Sequence, residues 1–512
     1  MTRAHGCTNP GAHVRWVYSP RARGLKPARY IPGALSTQPS AGLKVVSLMT
    51  SRRVFVAGLL IGLVIRLAAL PLPGTGDVSV FKIWSHAGYT GAVSEMYGVG
   101  GTPPERRLHD YDGRQATVDY PPLALYELAF VGLVYGVAFP GYPNTPVLTA
   151  FIKLLPVAAE AGITWVLFWA VRRAAPGQRD AARFAALAYW LNPAALFNAS
   201  VLGYLDPLFG FPMLASLVAA SAGSAIAAGV LFALAVLTKA QAVMLAPVVV
   251  LALWNVAGKG RLSSALRPLG LAGAGAVLTG VVWVGPVVMA GAWPNMMRAL
   301  GSLARHDMLS GQAANVWWIV TYVMRAVYAV PEMGLADAFL SPVARPLGIT
   351  TIVQLGYPSP RLASTVVMLA AMAWALWMGR KVRDLPRIAL LGAWSVYAYF
   401  MLAVQVHENH FYMILPLLAL AAAALPEWRR LFWVLSGSFS LNLNLFYGLG
   451  DGIGFAVPRT ITGIDATVWL SLANVLAFVW FTRLLRQTLR EHPASPTAVR
   501  AGILRPPESS SP

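Results

Sequence analysis

The sequence predicts an all-α polytopic membrane protein. Of its 512 residues, 57% are hydrophobic and only 12% charged, and the mean hydropathy is +0.59. A soluble chain carries about a quarter charged residues. Apolar runs recur from residue 53 to residue 483 without a long polar interval, so one membrane domain accounts for the length. The net charge of +20 comes from Lys and Arg in short loops and at the termini, the pattern of a cytoplasmic membrane face. The partner so implied is the lipid bilayer, not nucleic acid.

Residues 1–50 are basic and rich in Pro, Gly and Ser, with no apolar core for a signal peptide before Val45. They read as a disordered segment, and Met49, just before Arg52-Arg53, is an alternative start. The membrane domain takes 51–485, and 486–512 read as a disordered cytoplasmic tail. Candidate spans lie near 53–72, 121–140, 150–171, 183–202, 205–222, 224–238, 240–257, 268–292, 316–330, 361–379, 388–405, 409–425, 431–449 and 467–483. Several are short for a full crossing, which sets the expectation at 11 to 14 helices.

Basic loops at Arg172 to Arg183, Lys259 to Arg267, Arg380 to Arg387, Arg429-Arg430 and Arg483 to Arg490 belong in the cytoplasm. That places Asp77, Asp206, Lys239 and His407 together on the opposite face. Two pairs break the alternation. If 121–140 and 150–171 both cross, Arg172-Arg173 falls outside, and 316–330 raises the same conflict. One member of each pair is then re-entrant, broken or interfacial, or a short crossing lies within 337–356.

Four polar clusters interrupt the apolar sequence. The first is the long loop from Gly76 to Pro122, with Asp77, Lys82, Trp84, His86, Asp110, Asp112 and Asp119-Tyr120-Pro121-Pro122. A carboxylate beside hydrocarbon is either a solvated cap or a functional group. Asp77 follows Pro71, Pro73, Gly74 and Gly76, so the bland reading makes it the cap of an interfacial helix from Val78 to Tyr89 with Phe81 and Trp84 on its apolar side. Tyr-Pro-Pro is in part a rigid helix start. The second cluster runs from Asn192-Pro193 to Asp206-Pro207, where Asp206 is a cap or an inward-facing acid. The third is Lys239-Ala240-Gln241, an ammonium between apolar runs that snorkels or binds. The fourth is His407-Glu408-Asn409-His410, four polar residues in succession between two hydrophobic helices. Its spacing lacks the i, i+4 pair of a zinc helix, so a phosphate or acceptor role fits better than a metal. The single cysteine, Cys7, excludes an intramolecular disulfide and a cysteine zinc site. Lys153 and Glu160, seven apart in one apolar run, form a structural ion pair in this reading.

Gly76-Asp77 with Trp84, then Asp119-Tyr120-Pro121-Pro122-Leu123, Lys239-x-Gln241, and His407-Glu408 leading to Leu415-Pro416 occur in that order. Together they resemble the multipass GT-C glycosyltransferases. The likeness is to the dolichyl-phosphate-glucose-dependent glucosyltransferases of N-glycan precursor assembly and bacterial relatives similar to GPI mannosyltransferases, over roughly residues 53–425. The resemblance implies a GT-C-like bundle with a long first outer loop carrying interfacial helices, in a plasma membrane with the site facing the periplasm or exterior. It implies transfer of mannose or glucose from a polyprenyl-phosphate-sugar donor to a lipid-linked or glycan acceptor. Asp77 is then the general base, and His407 lies near the donor phosphate.

Elementary chemistry agrees with those roles. Displacement at an anomeric carbon needs a carboxylate for the acceptor proton and donors for the departing phosphate. His407, Lys239 and Lys82 meet the second need, with His86 in reserve. Trp84, Asp119, Tyr120, Asp206, Gln241, Glu408 and His410 complete the expected substrate-binding set. No metal and no cofactor is expected. The chain departs from the bacterial pattern at Leu202-Gly203-Tyr204, Ala240 and Asn409-His410, which leaves the sugar open. The rival reading is a transporter or lipid flippase lined by the same helix breaks.

Overall fold

A computed structural model describes residues 51–99, 107–174, 177–303, 308–341, 344, 359–450 and 460–491. The expected disordered segment 1–50 and the tail beyond 491 lie outside them, while helix continues through Glu491, past the expected boundary at 485.

Every predicted apolar segment forms helix. The chain opens with α1 (Arg52–Ala69) and α2 (Gly76–Thr90), then a hairpin of β1 (Leu108–Tyr111) and β2 (Arg114–Thr117). Next come α3 (Pro122–Ala138), α4 (Pro146–Ala174), α5 (Arg179–Trp190) and α6 (Pro193–Leu196), the last continued by a π-helical turn at Phe197–Val201. They are followed by α7 (Asp206–Ser221), α8 (Ala225–Thr238), α9 (Ala246–Val256), α10 (Leu262–Met289), α11 (Trp293–Leu303), α12 (Val316–Met333) and α13 (Leu335–Leu340). The rest is α14 (Pro360–Gly379), α15 (Leu385–Leu402), α16 (Ile414–Ala424), α17 (Arg429–Tyr447), a two-residue hairpin of β3 (Thr460–Ile461) and β4 (Ile464–Asp465), and α18 (Ala466–Glu491).

Side-chain contacts assign each helix end to one of two ends of the bundle. Phe55 stacks on Phe168 at 5.5 Å, so the start of α1 meets the Arg172-Arg173 end of α4. Asn255 donates to the carbonyls of Gly379 and Val382 at 3.0 and 2.8 Å, Arg383 to that of Lys259, and Arg387 to that of Thr488. These bonds gather the basic loops at one end, as the charge pattern required. The polar clusters occupy the other.

The alternation conflict has a structural answer in α3. Helices α2 and α3 pack antiparallel: a Cβ on Gly132 would come within 2.1 Å of the Ser85 carbonyl, so only glycine permits this approach. Before α3, Tyr97 donates to the carbonyl of Tyr120; after it, Tyr142 meets Ser85 at 2.8 Å and Tyr111 donates to the Tyr142 carbonyl. Both ends of α3 thus stay with the outer-loop elements. The segment near 121–140 is a helix of the polar end and does not run to the basic one. The pair α12–α13 behaves alike. Asn315 donates to the Phe400 carbonyl at its start, and Leu340 packs on Gly463 of the β3–β4 turn at its finish. A full crossing by α12 would bury Arg325 and Glu332 in hydrocarbon.

The core is built on α15 and α16, with α16 buried from Ile414 through Ala423. Lys153 and Glu160 do not pair, because seven helical residues separate them by about 10 Å of rise. Glu160 instead accepts from Arg66 Nε at 2.7 Å, both fully buried, and Lys153 donates to the carbonyls of Leu72 and Val201 at 2.6 and 2.7 Å.

Candidate active site

Four helix breaks converge at the polar end. Thr75, not Asp77, is the N-cap residue of α2, and Asp77 stands one position inside the first turn. The expected cap at Asp77 is therefore corrected: Gly76 adopts helical backbone at no steric cost and starts the helix before the acid. The Asp77 side chain is exposed, and no hydrogen bond to it is found among the described residues, yet protein surrounds it. Burial and then the Glu408 charge raise its pKa, against Lys239 and His407, with Asp206 adding to the rise. It is an accessible carboxylate facing a cleft.

Asp206 opens α7, where the helix dipole favours an acid. The turn before it needs Gly203 at φ +81°, a conformation other residues rarely adopt. Asp206 is fully buried and saturated: Lys239 Nζ donates at 2.5 Å, Asn198 Nδ2 at 2.9 Å and Gln241 Nε2 at 3.4 Å. Lys239 reaches it because the chain turns extended after α8, with φ −148° and ψ 120°. Its ammonium also lies 5.8 Å from the Tyr120 ring centre. Tyr120 in turn packs on Phe81 and Trp84 at 6.0 and 5.4 Å. Trp84 is seven residues from Asp77, hence on the same face of α2, and its buried Nε1 has no hydrogen-bond partner among the described residues. Asp119 is half-buried beside this group.

His407 and Glu408 come from the segment between α15 and α16. The Gly311 amide donates to the Val406 carbonyl at 2.8 Å, holding the 308–315 loop against His407. His407 Nδ1 lies 3.9 Å from Glu408 Oε2, and its side chain is 38% exposed, enough to meet a ligand. Glu408 is buried and bonded by Tyr204. Desolvation raises the Glu408 pKa, and burial beside His407 and Lys239 holds His410 neutral, well below the usual range. His410 Nδ1 meets Tyr399 at 3.1 Å, a positioning contact.

Four expected residues fall elsewhere. Lys82 is five positions from Asp77, about 140° around α2, and donates to Asn144 Oδ1 at 2.9 Å instead of joining the cleft. His86 stacks on Tyr111 and Tyr142 at 4.7 and 5.0 Å. Asp110 and Asp112 lie exposed at the tip of the β1–β2 hairpin, so neither can replace Asp77 as base. Residues missed in the sequence are Tyr204, Asn198, Tyr447 and Gln312. Tyr447 bonds Gln312, and Tyr204 meets the Tyr447 ring at 6.4 Å. Tyr204 stood inside a quoted motif, but nothing local marks Tyr447 or Gln312.

The comparisons bear on this geometry. Among solved structures the chain is similar to the Archaeoglobus fulgidus oligosaccharyltransferase in its apo form, at 15% identity and a TM-score of 0.39, with 87% of this chain covered. The chain spans only 57% of that protein's length. No curated protein matches. A model of the ALG6, ALG8 glycosyltransferase family matches residues 104–448, starting after Asp77 and taking in Tyr120, Asp206, Lys239 and His407. That match covers more than half of the sequence: this polytopic membrane protein belongs to the ALG6, ALG8 glycosyltransferase family.

Proposed function

We propose that this membrane glycosyltransferase moves a hexose, mannose or glucose, from a polyprenyl-phosphate-sugar donor to a lipid-linked or cell-envelope acceptor at the outer membrane face, with inversion. The carrying observation is one accessible, unbonded carboxylate, Asp77, facing two buried acids that already have partners. Asp77 takes the proton of the acceptor hydroxyl as that oxygen attacks the anomeric carbon. The bond from carbon to phosphate oxygen breaks, and its electron pair leaves on the lipid phosphate. His407, the exposed donor of the cleft, receives that charge. Lys239 supplies field more than contact, because Asp206 holds its ammonium at 2.5 Å. Trp84 and Tyr120 wall the sugar, with Asp119 and Gln241 as its polar contacts. This reading uses no metal or cofactor. Incubating the purified protein with a panel of polyprenyl-phosphate sugars and measuring free polyprenyl phosphate tests it; consumption of none of them overturns it.

His407→Ala is expected to weaken use of the donor by about 1.5–3 kcal/mol, the worth of one charge-assisted hydrogen bond. Steady-state kinetics against donor concentration check this. Unchanged donor KM and turnover would make His407 a loop-packing residue.

Among the described residues this reading takes twelve helices as passes between the two ends: α1, α4, α5 with its π turn, α7, α8, α9, α10, α14, α15, α16, α17 and α18. In this reading the basic loops are cytoplasmic and the cleft faces the outside of a plasma membrane. Cysteines placed beside Asp77, Asp206, Lys239 and His407 are expected to react with an impermeant thiol reagent from outside intact cells. Protection at two or more of these positions would refute the shared outer site. We take the catalytic domain as 51–485, with the last turns of α18 running on to Glu491.

A further inference from the structure

We infer that a second anion site, fitted to the headgroup of a phosphorylated lipid, lies on the face of α2 turned away from Asp77. A cavity of about 420 Å³ opens there, between the α1–α2 turn, β2 and the start of α4, with Pro71, Ser79, Lys82, Arg114, Asn144 and Thr149 among its walls. Such a volume suits a small-molecule headgroup, since ligand pockets run from about 300 to 1,000 Å³.

Its charge is unbalanced. Lys82 Nζ donates to Asn144 Oδ1 at 2.9 Å, and Arg114 Nη1 donates to Ser79 Oγ at 2.7 Å. One turn beyond Thr149, the Lys153 ammonium is fully buried and bonds only backbone carbonyls. No salt bridge among the described residues involves any of the three. A carboxylate at the rim, Asp112, is exposed and accepts from Asn144 Nδ2 at 2.5 Å. Two cations of the cavity wall, Lys82 and Arg114, thus meet one acid at its rim. Lys82 carries the cost: desolvation first, and then the Arg114 charge, lower its pKa, with Asp112 opposing. An anion bound between the two cations would relieve that repulsion.

The walls leading to the cavity identify a lipid, not a free ion. Leu60, Val64 and Leu67 are exposed at 57%, 64% and 46% and fall on one helical face of α1 at i, i+4 and i+7, with Pro71 just past its end. On α4, Val147 and Leu154 are exposed in the same way at 42% and 46%. An apolar chain lying along this stripe brings its phosphate to Lys82 and Arg114. The inference does not depend on the transfer reaction, because neither residue belongs to the Asp77 cleft.

Native mass spectrometry of the purified full chain with farnesyl phosphate, farnesol or inorganic phosphate tests it, alongside Lys82→Gln/Arg114→Gln, Lys82→Arg/Arg114→Lys and His407→Ala. The expected result is that wild type and His407→Ala bind farnesyl phosphate at this site. The Gln pair binds one molecule fewer, or at least tenfold more weakly, and the charge-conserving pair retains binding, which separates loss of charge from loss of fold. Wild-type affinity and stoichiometry in the Gln pair would overturn the site. Farnesol binding as well as farnesyl phosphate would show that charge is not recognised. Inorganic phosphate binding as well would make it a site for the free ion. Loss of all binding in His407→Ala alone would return the ligand to the transfer cleft, overturning this inference while sparing the proposed function.

Discussion

Asp77→Asn is expected to reduce sugar transfer by about 10²- to 10⁴-fold, the usual worth of a general base. Expression and donor binding should persist. The amide keeps the size of the side chain and cannot accept the acceptor's proton. Because Thr75 is the cap of α2, the substitution does not touch the start of that helix. Stability follows from the sign of the shift. The folded pKa of Asp77 lies above its unfolded value, so ionisation costs the folded state nothing below the unfolded pKa and the full amount above the folded one. At neutral pH the Asn variant therefore melts no lower than wild type. The same shift sets the pH profile: transfer falls as pH drops through the raised pKa, placing the acid limb above the ordinary carboxylate range near 4. Single-turnover rates and thermal melts across pH check both. More than about a tenth of wild-type turnover in Asp77→Asn would remove Asp77 as the base. Asp119 would then be the acid to test, since Asp110 and Asp112 sit on the hairpin tip.

Asp206→Ala is expected to destabilise the protein by about 3–5 kcal/mol, the cost of leaving one member of a buried ion pair alone. Lys239 is 8% exposed and Asp206 is fully buried, so little water can replace the lost carboxylate. Asn198 and Gln241 lose an acceptor at the same time. The double variant Asp206→Asn/Lys239→Met removes both charges together and should recover much of that loss. Its activity should stay low, because the field of Lys239 in the cleft is gone. Denaturation of the two variants in detergent micelles decides the matter. A single variant as stable as wild type would mean that the pair is solvated and contributes little.

What the sequence determined by itself follows from hydrocarbon as solvent. A backbone in lipid must bond to itself, so each apolar run had to be helix, and all fourteen candidate segments contain one. The cost of charge in that solvent gathered the basic loops at one end and marked the breaks at Asp77, Asp206, Lys239 and His407. Linear order could not supply direction around an axis. Lys82 and Trp84 are near neighbours in sequence, yet the 100° turn per residue puts Trp84 with Asp77 and sends Lys82 to a different cavity. Nor could apolar length distinguish a crossing from an outer helix. α3 is as hydrophobic as its neighbours, and only tertiary contacts such as Gly132 against the Ser85 carbonyl and Gly88 against Ala129 show that its partner is α2. Partner choice was likewise tertiary. Glu160 takes Arg66 from 94 residues away, and Glu408 takes Tyr204 from 204 away, because a buried charge bonds the nearest donor in space.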